Sequence, residues 1–138
     1  NAQVSSWTLK GKSNIDSGTF RGIQLAAAEA YNTNTPEWHR EYNIDVYRRR
    51  RILAEQIMTA LGCEYDRSQV GMFLWGRIPD CYADCEALTE RVLHEARVFI
   101  TPGFIFGSNG NRYIRISLCA NEEKIAAALQ RIRLMVNG

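Results

Sequence analysis

The sequence predicts an α+β domain: a small, mostly antiparallel three-stranded sheet covered by helices, in the order α-α-β-α-β-β-α. Three observations predict it. Short apolar runs at 70–75, 97–100 and 112–118 have the length of strands. The run Ser108-Asn109-Gly110-Asn111 carries an Asn-Gly reversal signal between the last two. Longer stretches around them repeat apolar residues at helical spacing.

Taken in order, Ser13-Asn14-Ile15-Asp16-Ser17-Gly18 is a cluster of turn and cap residues. A helix is expected from about Ser17 to Tyr31, with Phe20, Ile23, Ala27 and Tyr31 in register, broken by Asn32-Thr33-Asn34. Thr35-Pro36-Glu37 is a helix start: Thr as N-cap, Pro first, an acid in the first turn. That helix is expected to reach Leu61 and stop at Gly62, with a bend near Asn43. Trp38, Tyr42, Val46, Leu53, Ile57 and Ala60 form its apolar side.

The first strand is expected at 70–75. Pro79-Asp80 then opens a helix with Cys81, Cys85, Leu88 and Val92 on one face. The second strand is expected at 97–100 and the third at 112–118. Asn121 caps the last helix, with Glu122 and Glu123 in its first turn and Ile125, Leu129, Ile132 and Val136 on its buried side.

At 138 residues, 46% hydrophobic and 23% charged, the chain can build one real core. No apolar run approaches the ~20 residues of a membrane helix. The net charge of +2 argues against a dedicated nucleic-acid binder. The start lacks a signal-peptide pattern. The four cysteines therefore read as free thiols in a reducing compartment, with cytoplasm as the expected location.

Among residues that could carry chemistry, Arg115 comes first. It interrupts an apolar strand just after the Gly-rich loop Pro102-Gly103-Phe104-Ile105-Phe106-Gly107. Alternation places Tyr113, Arg115 and Ser117 on one face and Ile114, Ile116 and Leu118 on the core face. A guanidinium there is costly to bury unpaired, and its planar fork suits a carboxylate. The residues alone leave two readings equally open, a carboxylate receptor and half of a local ion pair.

Other candidates are weaker. Gly11-Lys12-Ser13 resembles the end of a phosphate loop, but Ser6 stands where its other glycine belongs. Ser13 and Asn14 read as helix caps, or as short polar groups near an anion. Arg48 to Arg51 reads as a solvated helix face, with Asp45 one turn before Arg49 and Glu55 one turn after Arg51. Cys81, Cys85 and His94 lack metal-ligand spacing and read as structural, so no metal is expected. With His39 and His94 the only histidines, no nucleophile-base motif is found.

These blocks together resemble the C-terminal portion of class I/II aminotransferases, the pyridoxal-phosphate enzymes of fold type I, and most nearly the aspartate aminotransferase-like ones. The likeness rests on four segments: the run from Lys12 to Phe20 with Gln24; Tyr47-Arg48-Arg49-Arg50 leading to Leu61-Gly62; Gly71-Met72-Phe73-Leu74-Trp75; and the stretch from Pro102 through Tyr113-Ile114-Arg115-Ile116-Ser117. The resemblance implies that Arg115 binds the substrate α-carboxylate. It places Ser13 and Asn14 near the active site or a dimer interface.

It also implies a domain plan. Asn1-Ala2 reads as an expression-tag remnant, 3–34 as the segment and helix joining a large domain, and 35–138 as the small domain. The parent would be a homodimer that moves an amino group from an amino acid to a 2-oxo acid, aspartate-like or alanine-like. The lysine that forms the aldimine is not expected among Lys10, Lys12 and Lys124. The fragment alone is therefore expected to be inactive and to bind no cofactor. The remaining alternatives are another fold-type-I lyase, a regulator with such a domain, and a stand-alone α+β binding module.

Overall fold

The computed structural model describes residues 1–15 and 18–138. They fall into two compact units, Asn1–His39 and Arg40–Gly138.

The first unit contains α1 (Ala2–Ile15), α2 (Arg21–Thr33) and the single turn α3 (Pro36–His39). Helix α1 was not expected; its Val4, Trp7 and Leu9 follow a partly helical spacing that turn residues downstream obscured. Helix α2 begins at Arg21, after Phe20 in extended backbone; the expected start at Ser17 lies outside the described residues. It ends at Asn34, on the expected polar run. Thr35 caps α3 as expected, its Oγ1 accepting from the Trp38 N–H at 3.1 Å. None of the three helices buries a residue.

In the second unit a π-helical stretch, Arg40–Asp45, leads into α4 (Val46–Ala60). The expected irregularity near Asn43 is thus a change of helix type. The apolar side is shorter than expected: Trp38 and Tyr42 are exposed, whereas Ala54, Ile57 and Met58 are buried.

The sheet contains β1 (Phe73–Arg77), β2 (Thr101–Pro102) and β3 (Tyr113–Ser117) in the order β1-β3-β2, all antiparallel. Strand β1 starts three residues later than expected. Gly71 sits at φ +93°, a turn conformation, and Val70 is exposed. Gly76 in β1 makes room for the core: a β-carbon there would lie 2.7 Å from Met58 Sδ.

The helix expected to open at Pro79-Asp80 opens at Cys85 instead, as α5 (Cys85–Ala96). Residues 79–83 are held in a turn by Arg112, whose guanidinium donates to the carbonyls of Pro79, Tyr82 and Ala83 and to Asp80. Asp84 is the true N-cap, accepting from the Ala87 N–H at 2.9 Å. Cys81 is accordingly exposed rather than on the buried face with Cys85, Leu88 and Val92. Helix α5 ends on Arg97 at φ +54°, so the strand expected at 97–100 begins only at Thr101.

The last helix, α6 (Glu122–Asn137), is capped by Asn121, whose Oδ1 accepts from the Lys124 N–H at 3.0 Å. Ile125, Leu129 and Ile132 are buried as expected; Val136, in the last turn, is exposed. Helix α6 packs on α4 and α5. Leu74, Ile78, Leu88, Val92, Ile114 and Leu118 fill the core with them.

The outer margin of β1 is closed without a fourth strand. Gln69 donates from Nε2 to the Trp75 carbonyl and accepts at Oε1 from the Trp75 N–H, both at 2.9 Å. Glu64 exchanges both backbone hydrogen bonds with Arg77. Together they satisfy polar groups that an edge strand leaves open.

Candidate functional site

Arg115 lies at the middle of β3, the central strand, directly between Trp75 of β1 and Thr101 of β2. The expected alternation holds. Ile114 and Ile116 are buried on the core face, while Tyr113, Arg115 and Ser117 are partly or fully exposed on the other. Because paired residues share a face, Phe73, Trp75 and Thr101 stand on the Arg115 side of the sheet.

Two rings approach the guanidinium. Its carbon is 4.1 Å from the ring centroid of Phe73 and 4.1 Å from that of Phe106; Trp75 lies farther, at 6.0 Å. Ring faces carry negative potential, so they partly replace the water lost by the cation. Nε of Arg115 is buried with no hydrogen-bond partner. Among the described residues no carboxylate pairs with Arg115. The local ion pair, one of the two open readings, is therefore absent from the described residues. The terminal nitrogens retain donors suited to two parallel bonds with a carboxylate.

Phe106 reaches this place through the Gly-rich loop. Pro102 ends β2, and Gly103–Phe106 makes one 3₁₀ turn. Gly107 follows at φ +120°, a backbone region that a residue with a β-carbon adopts only under strain. The Phe106 ring meets Trp75 edge-on, with centroids 5.3 Å apart and planes at 71°. Ring, loop and strand thus fix one another around the cation.

The four-arginine run is solvated only in its first half: Arg48 and Arg49 are exposed as expected, whereas Arg50 and Arg51 are half-buried, with Arg51 in the expected pair with Glu55. Arg49 reaches Glu122 at the start of α6 at 2.8 Å, which raises its pKa through that hydrogen bond and the carboxylate's charge. Arg50 donates to the Leu118 carbonyl at 3.1 Å, and Arg51 binds the carbonyls of Arg67 and Gln69 as well as Glu55. Asp45 pairs with Arg48 rather than with Arg49. Arg48 makes a local pair, while Arg49, Arg50 and Arg51 each tether a different segment, because consecutive helix positions point in different directions.

The other sequence candidates separate. Ser13 and Asn14 lie exposed on α1, and the Ser13 hydroxyl donates to the Leu9 carbonyl at 2.8 Å. Cys85 is buried, Cys81 is exposed and His94 pairs with Glu90. Among the described residues no three metal-ligating side chains gather. No described helix is long and apolar enough to cross a membrane.

Sequence reasoning missed Phe73 and Phe106 as neighbours of Arg115. Strand parity would have placed Phe73 on the correct face had its pairing with Ser117 been known. For Phe106, the sole signal was its position three residues after Gly103, one 3₁₀ turn away.

No family model matches the chain. It is similar to curated proteins. It is 37% identical over 124 residues to LL-diaminopimelate aminotransferase of Aquifex aeolicus, covering 90% of this chain and 31% of that protein. It is 36% identical over 122 residues to the enzyme of the same name from Halothermothrix orenii, covering 88% and 31%. Among solved structures, aromatic aminotransferase from Pyrococcus horikoshii OT3 superposes with a TM-score of 0.70 at 31% identity, over 83% of this chain and 31% of that one. The chain thus spans about a third of the length of the proteins it matches.

Proposed function

We propose that this chain, a fold-type-I aminotransferase-like domain, serves as the C-terminal small domain of a pyridoxal-phosphate-dependent aminotransferase. Arg115 is its substrate-carboxylate receptor. The observation that carries this reading is a guanidinium with no ion-pair partner among the described residues, held against two aromatic rings on the non-core face of β3. A cation so placed gains most from an incoming anion.

The described residues do not fit a cofactor cradle. Lys10 and Lys12 are exposed on α1, Lys124 lies in the first turn of α6, and the Ser13 hydroxyl is engaged by the Leu9 carbonyl. The aldimine lysine and the residues that hold pyridoxal phosphate belong, in this reading, to another part of the protein. What this chain contributes is binding and orientation: two bonds to the carboxylate fix where the amino end of the substrate points.

For the substrate, the names of the relatives favour a diaminopimelate-like amino acid. The aspartate-like or alanine-like choice drawn from the sequence remains its competitor, with a 2-oxo acid as acceptor. Ser13 and Asn14 stay proposed as neighbours of the active site or of a homodimer interface, and the cytoplasm as the location. The test is amino transfer to 2-oxoglutarate by the intact protein. Arg115→Ala is expected to raise the amino-acid KM and lower kcat together, by at least tenfold in kcat/KM. An unchanged kcat/KM would remove the claim for Arg115. Elimination of the substrate side chain without amino transfer would favour a lyase.

A further inference from the structure

We propose that Phe73 and Phe106 are positioning residues for Arg115, holding its fork so that a carboxylate meets the two terminal nitrogens end-on. This rests on the reading of Arg115 as the carboxylate receptor.

The geometry allows little else. Both rings lie at 4.1 Å from the guanidinium carbon, near the separation of van der Waals contact. Nε is buried and has no partner, so an incoming oxygen does not reach it. A side-on fork, which uses Nε with one terminal nitrogen, is therefore closed. The end-on fork uses only the terminal nitrogens, which are not among the buried unpartnered atoms.

The two rings come from separate elements. Phe73 begins β1 and is fixed by pairing opposite Ser117. Phe106 ends the 3₁₀ turn and is braced edge-on by Trp75. Neither ring offers a hydrogen bond. What they supply is restriction of a long side chain before the ligand arrives, together with a negative ring face for the charge. Phe106 is half exposed, so its ring is not explained by core packing alone.

The experiment uses the 138-residue chain labelled with ¹⁵N-arginine, followed by NMR while sodium acetate is added against sodium chloride of equal ionic strength. Arg115→Lys assigns the signals. In the unsubstituted chain the Arg115 Nε–H proton should lie upfield, shifted by ring currents, and acetate should move the terminal nitrogens rather than Nε. Phe106→Leu is expected to cut the upfield shift, leaving only the part due to Phe73, and to weaken acetate binding about tenfold. Phe106→Tyr, which keeps the ring, should restore both, and Phe73→Leu should act as Phe106→Leu does.

If both leucine variants keep the full upfield shift and bind acetate as before, while Arg115→Lys loses the signal, the positioning role is overturned and the receptor reading survives. An acetate response centred on Nε overturns the end-on geometry. Acetate binding undiminished in Arg115→Lys overturns the receptor reading, and the positioning role with it.

Discussion

Gly103 and Gly110 cross backbone to backbone, so closely that a β-carbon on either residue would overlap the carbonyl of the other. The contact closes the base of the loop that carries Phe106. Neither glycine is at positive φ, so the demand is for space rather than for an unusual backbone. Gly103→Ala or Gly110→Ala should cost about 2 kcal/mol or more, because the obstacle is main chain and has no rotamer to change. Urea unfolding measures it. A midpoint equal to that of the unsubstituted chain would show that the crossing can open without loss.

Gln69 uses one side chain to imitate a neighbouring strand. Gln69→Ala leaves the N–H and C=O of Trp75 without these partners, at a cost of about 1–2 kcal/mol. Gln69→Glu is the sharper comparison. A carboxylate still accepts from the Trp75 N–H but cannot donate to its carbonyl. Stability of the glutamate variant should therefore fall as well, and recover in part at low pH, where the acid regains a proton to donate. Thermal melting at two pH values tests this.

Cys63 predicts a pH dependence. Burial pushes its thiol up to about 12, against about 8.5 for a thiol in the unfolded chain. Folding therefore favours the protonated form. The contribution is complete below about pH 8.5 and is lost as pH rises toward 12. Cys63→Ala should flatten the alkaline fall in stability, at the separate cost of a small cavity. In the native state a thiol reagent should modify Cys81 and Cys119 quickly, and Cys63 and Cys85 only on unfolding.

The N-terminal unit presents Trp7, Leu9, Phe20, Ile23, Leu25 and Tyr31, all more than half exposed. Such surface normally finds a partner. The isolated chain should therefore associate as its concentration rises, and a version beginning at Arg40, which keeps every core residue, should not. Sedimentation velocity separates the outcomes. Equal association by both versions would place the sticky surface in the C-terminal unit.

What was legible in the sequence was local. The Thr35 and Asn121 caps, the parity of β3 and the buried side of α6 each depend on residues a few positions apart. The fold class follows from them. The errors share a different cause. Pro79-Asp80 looked like a helix start because nothing nearby reveals that Arg112, far along the chain, holds those carbonyls in a turn. Arg97 looked like strand because its left-handed backbone belongs to the helix end before it. At the site, Arg115 was readable as a displaced charge. Its aromatic neighbours were not, since one depends on strand register and the other on a loop crossing.

The sheet has one finished side and one unfinished side. Along β1, a glutamine side chain and a single bridge complete the margin. Along the opposite flank, β2 spans two residues against the five of β3, and its pairing stops at Arg115, before Ser117. Growth of the sheet therefore has a direction. A fibril seed or a swapped segment would enter beside Ser117, and a single proline placed there would guard the molecule better than any change along β1.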